Sequence, residues 1–239
     1  MSSGKSGVAC YACGGTYGRL IMGAFARGCG GDLVERANPE LKPGVAVVWG
    51  LLRGGHEIIA QAKARGTPWV YMDHGYFGRG HTHGHYRATV GGFQKTVIED
   101  RPPDRWSALN VPFGNHHGRD VVLAPPAPTV QALFGPYWPP DLKTDREVHV
   151  SKKDGKPWHD KFKSAHMLVT YNSIAAVEAV VRGVPVMTTG ESAAQMFSSP
   201  DVEAPVFPED RQAWANSLAY GQFTLDELGN GTAWKILSL

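Results

Sequence analysis

The chain has 239 residues, 42% of them hydrophobic, enough to build the core of one large domain or two small ones. Its formal net charge of +2 supplies no global positive field for nucleic acid or an anionic membrane, so any polyanion must be met by a local patch. Met1 to Gly7 is small and polar, no stretch approaches the roughly 18 apolar residues of a membrane span, and three cysteines cannot all pair; the expectation is a soluble, cytoplasmic protein with no membrane span.

Glycine (29) and proline (17) cut the chain into short elements. Gly7 to Ala12 reads as a buried strand, Gly14-Gly15-Thr16-Tyr17-Gly18 as a turn, and Leu20 to Ala26 as a helix ending near Gly28. Cys10-x-x-Cys13 falls inside the apolar run and has no second CxxC, which favours structural thiols over a redox pair or half of a zinc site. Gly44 to Trp49 is a second strand, Gly54 to Arg65 a helix with Gly66 as its C-cap, and Pro68 to Met72 a third strand. The pattern then breaks from Tyr76 to Gly118 into glycine, histidine and proline.

Alternation restarts with strand Asp120 to Ala124, helix Thr129 to Phe134 and strand Arg146 to Val150. Strand His166 to Thr170, helix Ser173 to Arg182 and strand Val184 to Thr188 follow, and Asp210 to Leu239 reads as helical with breaks at Gly221 and Gly229 to Gly231. Apolar strands alternating with helices imply an α/β protein with parallel sheets covered on both faces. The expected organisation is an α/β domain over residues 1–117, a second over 118–209, and a helical tail, 210–239, packing back on the first.

In open α/β sheets ligands bind beyond the carboxyl ends of the strands. Thr170-Tyr171-Asn172-Ser173 occupies such a place, where hydroxyls and backbone N–H groups can face an anion; taken alone, Asn172 or Ser173 is equally an N-cap. Lys152, Lys153 and Lys156 follow another strand end and either neutralise a diphosphate without a metal or simply solvate the surface. The Gly14 to Gly18 loop, led by Gly14 and Gly15, allows close backbone approach to a ligand, but it is neither a P-loop nor a GxGxxG fingerprint. Asp73 and His74 come directly after a strand and have the chemistry of a general base, which must come within about 3 Å of the proton it removes. Asp73 is slightly favoured, with turn capping as its alternative. His81, His83 and His85 alternate, but no nearby carboxylate completes a site, and no metal is assigned.

The run from Ser173-Ile-Ala-Ala-Val-Glu178-Ala through Gly183-Val-Pro185-Val resembles the donor-binding motif of GT-B glycosyltransferases. The resemblance implies two small Rossmann-like halves facing a cleft, with Thr170 to Ser173 at the diphosphate of a sugar nucleotide and Glu178 at its ribose. It also implies a UDP-sugar donor, no tightly bound cofactor, and a divalent metal that is allowed but not required. A second resemblance rests on Asp73-His-Gly-Tyr-Phe-Gly-Arg-Gly80, Tyr86-Arg87, Gly92-Phe93-Gln94 and the tail from Leu218 to Leu228. These segments are similar to compact bacteriophage glycosyltransferases that modify hydroxymethylated DNA bases, which implies 5-hydroxymethylcytosine, or second to it a hydroxymethyluracil, in DNA as acceptor and the host cytoplasm as location. A flipped base needs aromatic surfaces and its phosphates need cations, and Tyr76, Phe77, Arg79, Arg87 and Lys95 are the acceptor-side candidates. The same composition suits a glycan acceptor, and a non-catalytic nucleotide-sugar binder also stays open.

Overall fold

The computed structural model describes residues 7–13, 15–35, 39–80, 83–135, 137–151 and 158–238, with backbone alone at 158 and 159. Gly14, His81, Lys152, Lys153 and Lys156 lie outside the described residues. The chain forms two compact units, one of Met1–Phe93 with Ala219–Leu239, the other of Gln94–Leu218.

The first unit begins with β1 (Val8–Tyr11), α1 (Thr16–Cys29), β2 (Asp32–Val34), β3 (Val45–Trp49), α2 (Gly55–Arg65), β4 (Trp69–His74) and β5 (Tyr86–Val90). Residues of β1 alternate between two cores. Val8, Cys10 and Ala12 pack with Ile21, Met22 and Phe25 of α1, while Ala9, Tyr11 and Cys13 pack with Ile58, Ile59 and Ala62 of α2. This two-sided burial is why the strand reads as a continuous apolar run. All three cysteines are free and buried. Helices α1 and α2 stop at Gly30 and Gly66, both left-handed, whose N–H groups reach back to carbonyls of the last turn.

The second unit carries α3 (Asp104–Leu109), β6 (Asp120–Ala124), α4 (Pro128–Phe134), β7 (Val148–Val150), α5 (Trp158–Lys161), β8 (Ala165–Thr170), α6 (Ala175–Val181) and β9 (Val186–Thr188). Its sheet runs β7-β6-β8-β9 with every pair parallel. Val121, Leu123, Met167 and Val169 form its core with Val202, and α6 is buried at six of its seven positions. Helix α7 (Arg211–Tyr220) then leads back into the first unit, followed by β10 (Gln222–Phe223), α8 (Leu225–Gly229) and α9 (Thr232–Leu237). The first unit's sheet is ordered β10-β5-β4-β3-β1-β2, parallel from β4 to β2 and antiparallel at β5 and β10.

The α/β class with largely parallel sheets is therefore as expected, and several local readings need correction. Helix α1 starts at Thr16, four residues before Leu20, because Gly15 serves as its N-cap at φ 90° and Gly18 fits inside the helix against Trp49. Asp73 and His74 are the last two residues of β4, not the start of a loop. The tail contains a strand, β10, which extends the sheet beside β5. The units divide at Phe93/Gln94 and Leu218/Ala219 rather than at 117 and 209. Residues from Gln94 onward are tied into the second unit: the Gln94 amide bonds Asn172 O and Ala193 N, Glu99 N bonds Ser217 Oγ, and Arg101 O accepts from Asn216.

Candidate functional site

In the second unit, parallel pairing brings Ala124, Thr170 and Thr188 into one row at the carboxyl ends of β6, β8 and β9. Ser151, one residue beyond the Leu123/Val150 pair of β6 and β7, extends that row. The Ser151 and Thr188 hydroxyls are buried with no hydrogen-bond partner among the described residues, whereas Thr170 Oγ1 donates to Ala124 O at 3.0 Å. Buried hydroxyls without partners are rare and call for an explanation such as a ligand or a water.

The loop above this row is held from several sides. Ser173 N donates to Thr170 Oγ1 (3.3 Å), and Ser173 Oγ accepts from Ala175 N (3.2 Å). Gly190 N donates to Tyr171 O at 2.8 Å, and the Tyr171 ring lies so close that a Cβ at residue 190 would stand 2.5 Å from it. Gln94, buried, bonds Asn172 O from one end of its amide and Ala193 N from the other, and its own N–H donates to Glu191 Oε1 at 2.8 Å. Glu178 sits in the first turn of α6, half-buried, with Oε1 shielded from solvent. The structure thus brings Thr170, Tyr171, Asn172, Ser173 and Glu178 to one end of one sheet. Gln94 reaches this loop from a distant part of the chain and is held in turn by Glu191, two contacts that the motif around Ser173 does not reveal.

In the first unit, the end of β4 carries a polar network. Tyr71 hydroxyl donates to Asp73 Oδ2 (2.8 Å), Arg87 Nη2 donates to the same oxygen (3.0 Å), and His74 N donates to Oδ1 (2.8 Å). Arg87 faces Asp73 directly across the β4/β5 pair and also donates to His74 O at 2.7 Å. Burial alone would lower the Arg87 pKa, but the Asp73 charge and the neighbouring tyrosines outweigh it, so the guanidinium is held more firmly charged than usual. Burial and the adjacent Asp73 push the Tyr71 phenol well up, keeping it a neutral donor. The His74 ring meets Trp49 edge to face, with centroids 5.5 Å apart. Gly15, at the start of α1, lies under the Arg53 guanidinium, where an added Cβ would come within 2.5 Å of Nη1.

Three acceptor-side expectations need correction. Arg87 is 5% exposed, Tyr76 1% and Phe77 6%, so these side chains are not surfaces for a base or a phosphate. Arg87 is committed to Asp73 and backbone carbonyls, its guanidinium lies over the Tyr76 ring at 5.7 Å, and Phe77 is clamped by the Gln222 amide through both its N–H and its C=O. Arg79 is an exposed residue, but partial desolvation of its guanidinium and then the like charge of Arg87 lower its pKa, against the opposing pull of Asp73. Lys95 pairs with Glu99 at 3.1 Å.

No family model matches the chain, and no curated protein matches it. Among solved structures it is similar to the KpsC beta Kdo 2,4 transferase of Thermosulfurimonas dismutans, at 10% identity and a TM-score of 0.46 over 89% of this chain and 90% of that one. Among the described residues no helix is long and apolar enough to cross a membrane.

Proposed function

We propose that the chain is a glycosyltransferase that takes a sugar from a UDP-sugar and passes it to the hydroxymethyl group of a modified pyrimidine in DNA, 5-hydroxymethylcytosine. The observation that carries the donor half is the row of Ser151, Thr170 and Thr188 at the carboxyl ends of a wholly parallel sheet, the Ser151 and Thr188 hydroxyls buried with no partner among the described residues. Ser173 and the N–H groups of its turn take the diphosphate, Glu178 accepts from the ribose hydroxyls, and Lys152 and Lys153 add positive charge. Gly14 and Gly15 are assigned to the donor as well, since glycine allows close backbone approach to a ligand. A divalent metal is not needed in this scheme.

Glycosyl transfer to a hydroxyl also needs a group that removes the acceptor proton, and Asp73 and His74 at the end of β4 are the two of suitable type. Arg79 and Lys95 are the acceptor-side cations that remain after the burial of Arg87. That burial, with Tyr76 and Phe77, favours a second reading in which the acceptor is a glycan hydroxyl, because fewer aromatic and cationic surfaces are left for a flipped base.

Mass spectrometry decides between them. Hydroxymethylcytosine-containing duplex, unmodified duplex and a panel of oligosaccharides are each incubated with several sugar nucleotides. A mass gain on the hydroxymethylated duplex alone, falling steeply with salt, is the expected result. Transfer to oligosaccharides alone establishes the second reading, and donor binding with no transfer to anything overturns both.

A further inference from the structure

At the opposite, amino-terminal edge of the second unit's sheet, three side chains converge that the donor site does not use. Asp120 opens β6, while Glu147 and His149 are two residues apart on the neighbouring β7 segment and so project to one face. One ligand atom from each lies within 4.8 Å of the others, and His149 Nε2 stands 3.4 Å from Asp120 Oδ2 and 3.5 Å from Glu147 Oε1.

Both distances are long for an N–H···O bond, which prefers about 2.7–3.2 Å. They match the edge of a tetrahedron around zinc, where donors about 2.0–2.2 Å from the metal lie about 3.3–3.5 Å apart. Charge points the same way. The two carboxylates have no Lys or Arg partner among the described residues: the adjacent Arg146 is turned to Glu203 and to Arg119 O. The Asp120 side chain is only 20% exposed, so its charge is largely removed from water with a single imidazole as neighbour.

We propose that Asp120, Glu147 and His149 bind one divalent transition-metal ion of the zinc class, with the fourth position left to water. An imidazole nitrogen beside two carboxylates selects this class over calcium or magnesium, which take oxygen donors. The ion cross-links edge strand β7 to β6 through their side chains and stabilises the folded state by binding it alone. Its place at the amino-terminal edge makes it independent of the proposed transfer reaction.

The test is titration of untagged, chelator-treated full-length protein with Co2+ and with Zn2+. Expected are one equivalent bound, intense ligand-field bands of four-coordinate Co2+, and a rise in melting temperature with Zn2+. In His149→Ala and Glu147→Gln, both at exposed positions, affinity falls by about tenfold or more and the Zn2+-dependent rise is lost, with circular dichroism unchanged. The proposal is overturned if these variants bind Co2+ as the parent does, if the parent binds none, or if binding is abolished instead by His83→Ala with His85→Ala. An unchanged melting temperature with and without Zn2+ in the parent likewise reduces the triad to an ion pair.

Discussion

Asp73 shows how one residue's meaning changes with its partners. Three donors occupy its carboxylate, from Tyr71, Arg87 and its neighbour's backbone, so it is first a positioned anion at the carboxyl end of an interior strand. Without Arg87, Asp73 loses its charged partner but keeps Tyr71 and a backbone N–H, and Arg87→Met is expected to cost about 1.5–3 kcal/mol in denaturant unfolding. If one of the β4 pair serves as the base, Asp73→Asn or His74→Ala lowers kcat by about 100-fold or more while calorimetric donor affinity is retained; loss of affinity in step with kcat assigns them to binding instead. The thiols give a third residue-level expectation. Burial pushes Cys13 up to about 11, and Cys10 rises because it holds its proton in a hydrogen bond to Cys29, which is lowered to about 7. At pH 8, below their folded values, Cys10 and Cys13 remain protonated and resist a thiol reagent in native protein, and both react once denaturant is added.

At the scale of elements, close backbone approach decides what the glycines do. Gly28, in the last turn of α1, faces α8 so closely that a Cβ would lie 2.0 Å from Leu228 O and 2.9 Å from Gly231 N. Gly28→Ala must push these elements apart, and a loss of about 2 kcal/mol or more is expected in denaturant unfolding. A near-neutral effect would mean that α8 is free to shift. Elements with strong two-sided burial, such as β1, β3 and β8, were legible because nearly every residue is apolar. Strand β5 was not, since it lies in a glycine- and histidine-rich stretch and carries Arg87, whose charge is matched across the sheet and not within the segment. The two-residue β10 has no period to detect; its evidence lies in its pairing with Tyr86 and Arg87.

At the scale of the whole molecule, the two ends of the chain build one unit. Leu228, Ala233 and Trp234 belong to the same core as Met22 and Phe25 of α1, with the Trp234 and Phe25 rings edge to face at 6.1 Å. A chain truncated after Thr224 loses α8 and α9 and leaves that face of α1 uncovered. It is expected to bind a hydrophobic dye and to lose cooperative thermal unfolding; a sharp transition near the parent's temperature would show that the tail is dispensable.

The order of strands and helices, the α/β class and the strand–turn–helix at Thr170 to Val181 followed from the sequence by itself, because they rest on local apolar runs, on glycine at helix ends and on short motifs. Which residues meet did not. Gln94 reaches Asn172 and Ala193, Arg87 finds Asp73 across two antiparallel strands, and Asp120 lies beside His149, each a contact between segments separated in the chain. Burial of Arg87, Tyr76 and Phe77 belongs to the same class of fact. A side chain's type sets what it is able to do, but strand register and packing decide whether its charge or ring faces a partner, the core or the solvent.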